Sequence, residues 1–150
     1  MIKYCLQQWN ANKNKLQEKF ENQKGWNRRN YENLVVEVVK TILNIGSEFT
    51  WDSDHITEID DGDYQGTLLY LIPRDTYQPS EYEYLITYVN YGSCSFCDVL
   101  QSIQSGHYND DYLTETQVKD FMTLCKDILT NMKMPYNYGW RHKDMFDEVK

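Results

Sequence analysis

The apolar side chains of this chain change their period twice, from helical to strand and back, and that order leaves few folds open. Over about 2–22, Ile2, Leu6, Trp9, Leu16 and Phe20 recur at helical spacing, with a polar stretch at 10–15 interrupting them. The spacing predicts a helix with one apolar stripe, ended by Gly25. Over about 28–45, Tyr31, Leu34, Val35, Val38, Val39, Ile42 and Leu43 fall on one face before Gly46. β-branched residues pull this segment locally toward strand, but the period and the length favour helix.

Between these helices and the end of the chain the pattern becomes one of short strands. They are predicted at 48–51, at 55–60 around Ile56 and Ile59, at 66–73 as the continuous apolar run GTLLYLIP, and at 83–91 as EYLITYVNY. Asp61, Gly62 and Asp63 carry a turn signal, and 74–80 forms the next connection. Connections this short imply an antiparallel meander. Helical spacing then returns. One short helix is predicted over about 94–104, with Ser93 or Ser95 as its N-cap, and a longer one over about 114–132. Thr114 and Gln117 stand at capping-box spacing for the longer helix, and Pro135 stops it. The expectation is one α+β domain over 1–150, an antiparallel sheet of three to four strands (about 48–91) covered by N-terminal and C-terminal helices.

Charge follows the same division. Residues 1–46 hold eight Lys and Arg against four Asp and Glu, whereas 47–111 hold one basic residue, Arg74, against thirteen acidic ones. The acidic block also contains eight of the 13 tyrosines. Such a segment repels nucleic acid, whose binding is driven by Lys and Arg neutralising phosphates, and suits a basic surface on a partner protein. A Tyr ring packs while its hydroxyl stays polar, which fits both a half-buried sheet and a contact surface. The residues expected to meet such a partner are Asp60, Asp61, Asp63, Tyr64, Glu81 and Glu83. Solvation of an ordinary acidic surface explains the same block without a partner.

Two local clusters offer chemistry. Cys94 and Cys97 form a C-x-x-C at a strand-to-helix junction, where a helix N-terminus can favour thiolate. A thioredoxin-like fold continues with strands, and here only helices follow. Structural zinc needs four ligands, and Cys5, Cys125, His55, His107 and His142 stand at no diagnostic spacing from the pair. These cysteines are therefore expected to shape a structural turn, with redox and zinc chemistry as the alternatives. Cys125, on an apolar stripe, is expected in the core.

The second cluster is acidic. Residues 52–63 gather Asp52, Asp54, Glu58, Asp60, Asp61 and Asp63, a set able to hold a cation or do acid–base work. A calcium loop beginning at Asp61 would place Ile72 where a bidentate Glu is needed, so it is rejected. Nucleophile-elbow, zinc-protease, P-loop and dinucleotide motifs are absent from the sequence. No cofactor or metal is expected, and the balance leans away from an enzyme. The alternative kept open is a small-molecule or metal-binding protein or enzyme using the 52–63 carboxylates or the Cys94 and Cys97 turn.

Gly62-Asp63-Tyr64-Gln65-Gly66-Thr67 and Tyr91-Gly92-Ser93-Cys94-Ser95-Phe96-Cys97-Asp98, within residues 59–104, resemble small uncharacterised bacteriophage and mobile-element accessory proteins. The resemblance brings no catalytic residues. It implies an inhibitor that binds and blocks a host or defence protein. No stretch is long and apolar enough to cross a membrane and no export signal is evident, so the expected location is cytoplasmic, the host cytoplasm if phage-encoded.

Overall fold

The computed structural model describes residues 1–62, 66–80, 83–92, 98–105 and 111–134. It is an α+β protein in which helices precede and follow an antiparallel sheet, as the change of apolar period predicts. Helix α1 (Ile2–Asn22) buries Tyr4, Cys5, Trp9, Asn12, Leu16 and Phe20 along one stripe. The chain turns at Gly25, held at φ 94°, into a 3-10 turn at Trp26–Arg28. Helix α2 (Tyr31–Glu37) opens with reciprocal side-chain bonds between Asn30 and Asn33, which satisfy two backbone N–H groups that have no intrahelical partner.

Past Glu37 this helix widens into a π-helical stretch, Val38–Leu43, with five of its residues buried. Its last carbonyls lack intrahelical partners, and amides of α1 supply them. Asn12 Nδ2 donates to the carbonyls of Ile42 at 2.9 Å and Ile45 at 3.0 Å, and Gln8 Nε2 donates to that of Leu43 at 3.0 Å. The polar interruption expected in α1 is thus, at Asn12, a buried clamp on the next helix, 3% exposed.

Strands β1 (Thr57–Gly62), β2 (Gly66–Pro73) and β3 (Tyr84–Tyr91) form a three-stranded antiparallel meander in chain order. The strand expected at 48–51 is reduced to one bridge between Trp51 and Arg74. The Asn44 amide takes the place of a strand partner, accepting from Trp51 N at 2.7 Å and donating to Trp51 O at 2.8 Å. The strand expected at 55–60 is shifted two residues along. Asp52 accepts from Asp54 N at 3.0 Å and lies 2.6 Å from His55 Nδ1, which holds the approach to β1 in a turn. At its far end β1 pairs through Gly62 with Gly66, so Asp61 and Gly62 belong to the strand and not to the turn. A Cβ on Gly66 would sit 2.3 Å from the Asp61 carbonyl oxygen, so this pairing requires glycine there.

Helix α3 (Val99–Gln104) begins later than expected, and its N-cap is Asp98, neither Ser93 nor Ser95. Those two serines lie outside the described residues, as does the tail from 135 to 150. Helix α4 (Glu115–Thr130) carries the Thr114–Gln117 capping box that the spacing predicts. It packs against α1, α3 and β3, and Thr87 Oγ1 donates to the buried carbonyl of Ile128 at 2.6 Å. Phe20, Trp26 and Phe121 form an aromatic knot with ring centroids 4.8–6.4 Å apart. Tyr70, Ile72, Leu85, Thr87 and Val89 turn inward from the sheet toward the helices.

The two edges of the sheet differ. Ile86 of β3 exchanges both backbone bonds with Lys133, at 2.8 and 2.9 Å, and Asn131 Nδ2 donates to Tyr88 O at 3.2 Å. Among the described residues nothing pairs with the outer edge of β1, and all six of its residues are exposed. No helix among the described residues is long and apolar enough to cross a membrane.

Candidate functional site

Glu58 and Asp60 are two residues apart on β1, so both extend from its helix-facing side, opposite Tyr70 and Leu68 of β2. The Tyr70 ring is fully buried, and its hydroxyl donates to Glu58 Oε2 at 2.7 Å. Tyr91, at the end of β3, donates to Asp60 Oδ1 at 2.6 Å. Tyr31, the first residue of α2, donates to Asp98 Oδ1 at 2.8 Å. These pairs border an open cleft of about 400 Å³ between β1, the end of β3 and the start of α3.

The three carboxylates have different roles. Asp98, 5% exposed, also accepts from Gln101 N and from Gly92 N, each at 3.0 Å. Both its oxygens are occupied, and it ties α2, β3 and α3 together as a buried carboxylate must be tied. Glu58 and Asp60 are exposed, and Glu58 Oε1 and Asp60 Oδ2 accept no hydrogen bond from the described residues. Arg29 brings one cation to the cleft and lies over the Trp26 ring, 5.4 Å from its centroid. Gln104 Nε2 donates to the carbonyls of Trp26 at 2.8 Å and Arg29 at 2.9 Å, which fixes this wall against α3.

Burial pushes the Tyr31 hydroxyl above its ordinary pKa; the Leu100 N–H it accepts opposes that shift and Asp98 adds to it. Burial raises Tyr70 as well, with Glu58 adding to the shift. Both hydroxyls therefore stay protonated at neutral pH, as donors that orient carboxylates. Burial also pushes the Cys5 thiol up to about 12 and raises that of Cys125, so neither is a nucleophile. Cys125 sits in the core, as its place on the apolar stripe predicts. His55 and Asp52 form an exposed pair, and among the described residues no three His, Cys, Asp or Glu side chains are placed to hold a metal ion.

Of the residues expected to face a partner, Asp60 lies in the cleft. Asp61 follows it on the same strand but extends from the opposite side, with Ile59. Glu83 is not part of this site. It adjoins the Tyr84–Pro73 row, about 20 Å along the sheet from Asp61 by strand rise. There it accepts from Ser80 N and Ser80 Oγ, each at 3.2 Å, and pairs with Arg74 at 3.4 Å. Asp63, Tyr64, Glu81, Cys94 and Cys97 lie outside the described residues. Among the described residues the 52–63 carboxylates do not gather at one point: Asp52 shapes the turn, Glu58 and Asp60 share one side of β1, and Asp61 takes the other. Sequence reasoning missed Glu58, Tyr31, Tyr91 and Asp98 as one site. The alternation Glu58-Ile59-Asp60 was the available signal for the first. Compared with known proteins, the chain matches no family model, and no curated protein or solved structure matches it.

Proposed function

We propose that this chain is a non-enzymatic binding protein that engages a basic surface of a partner protein through the acidic, Tyr-bordered side of β1. The observation that carries this reading is the pair of open carboxylate oxygens, on Glu58 and Asp60, beside a cleft whose tyrosine hydroxyls already serve as donors to those carboxylates. Their remaining capacity is for an ammonium or guanidinium from outside. The resemblance to phage accessory proteins adds an inhibitory role, with a host or defence protein as the partner and the cytoplasm as the place of action.

The test is capture from host lysate with the wild-type chain and with an Asp60→Lys variant. Charges at this surface are screened beyond about 10 Å at 0.1 M salt, so the captured protein should be released as salt rises. It should also fail to bind the variant, which remains folded. A partner retained equally by both proteins, insensitive to salt, removes this surface from the account.

A further inference from the structure

We infer that the partner is bound by strand addition: an extended segment of alternating basic and apolar residues pairs with the open edge of β1. This inference rests on the reading above and specifies how the basic group is delivered. A strand edge presents unpaired N–H and C=O groups, and on one of the two edges of this sheet Lys133 already bridges Ile86 and Asn131 reaches Tyr88. The other, β1, is exposed throughout Thr57–Gly62 and meets no strand among the described residues. Its two sides differ in chemistry. Glu58 and Asp60 line the cleft side, while Ile59, 44% exposed, stands on the other between Thr57 and Asp61.

A strand laid along β1 alternates in the same way, because successive side chains point to opposite faces. Every second residue of the added strand therefore meets Glu58 or Asp60, and Lys or Arg there reaches their open oxygens at the cleft. Of the intervening residues, the one that meets Ile59 is best apolar, while one that reaches Asp61 on the same side can again be basic. Six residues cover the edge, about 20 Å at strand rise.

A second copy of the chain is the wrong occupant. Edge-to-edge pairing of two β1 strands brings Glu58, Asp60 and Asp61 of one copy against the same three carboxylates of the other, and like charges across a ladder repel. Carboxylates on an edge strand oppose self-association and leave the edge to a strand of opposite charge.

The probe is a capped peptide of alternating Lys and Val, about seven residues long, matched with an isomer in which all Lys precede all Val. Each is titrated into the isotope-labelled full chain while amide exchange is followed. The alternating peptide should bind about tenfold more tightly than its isomer and newly protect alternate amides within Thr57–Gly62. Asp60→Lys should weaken it by a similar factor while the remaining spectrum stays that of the folded protein. Equal binding of both peptides without new protection in β1 overturns strand addition and leaves the acidic-surface reading standing. Binding of neither peptide overturns both. Protection of β1 that grows with protein concentration alone also overturns the inference, in favour of a second copy.

Discussion

The two edges of the sheet, β1 and β3, lie on either side of β2 and are built on opposite terms. At β3 the chain returns on itself: Lys133 pairs with Ile86, Asn131 reaches Tyr88, and Thr87 reaches the buried end of α4. The backbone groups of Ile86 and the Tyr88 carbonyl find partners there within the molecule, and the side chains turned inward join one core with the helices. At β1 no residue is buried, and three of the six are carboxylic. One edge joins the core, whereas the other lies exposed and carries three carboxylates. The difference teaches that the acidity of the central block is not spread evenly. On the β1 side Glu58 and Asp60 each keep an oxygen that accepts nothing from the described residues, while Glu83, at the far end of the sheet, is taken up by Ser80 and Arg74.

If that contrast is right, the largest losses come from the closed side. Phe121→Ala, in the aromatic knot, should destabilise the protein by about 3–5 kcal/mol in chemical denaturation, the usual cost of emptying a buried aromatic site. Asp98→Asn should cost about 1–3 kcal/mol, because one acceptor oxygen becomes an NH₂ group among three donors. A loss of similar size from Asp60→Asn, on the open side, would break the comparison.

Alkaline pH gives a smaller and graded effect. Burial raises the folded pKa of Tyr31 above that of an ordinary phenol and lifts that of Cys5 from the ordinary thiol value of 9.0 to about 12. The unfolded chain releases these protons first. Stability from these groups is therefore full below about pH 9 and is lost as pH climbs through the interval up to the raised folded values. Tyr31→Phe and Cys5→Ala should each flatten the decline in denaturation midpoint. An unchanged decline in the double variant would show that other groups control it. The smallest effect belongs to β1: Glu58→Gln with Asp60→Asn should alter stability by no more than about 0.5 kcal/mol per site, since both side chains are exposed.

How far this contrast could be read from the sequence depends on what each residue answers to. Helix α4 follows from local spacing alone, since Thr114 and Gln117 cap it and its apolar stripe matches the helical period. The α+β order and the continuous run of β2 follow in the same way. The segment 48–51 does not, because a distant side chain, the Asn44 amide, takes the bonds of Trp51 that a strand partner would need. Asn12 lies on the stripe of α1 between Trp9 and Leu16, and only its bonds to Ile42 and Ile45 explain a buried amide there. The site was half legible. Asp60 and its acidic neighbours are contiguous in the chain, but Tyr31 and Asp98 are 67 residues apart and meet only when α2 packs beside α3. Glu83 stands far from Asp60, which the sequence did not show, because sequence proximity to the sheet says nothing about which end of it a residue occupies.

The open edge itself is the claim on which the rest depends, and native-state amide exchange of the free protein measures it directly. In β1 the amides bonded to β2 should exchange slowly while their outward-facing neighbours exchange at rates near those of an unstructured chain, an alternation along Thr57–Gly62. Ile86 and Lys133, bonded to each other, should both be slow. Uniform protection along β1, matching that of β3, would show that the edge is already covered and would contradict the account.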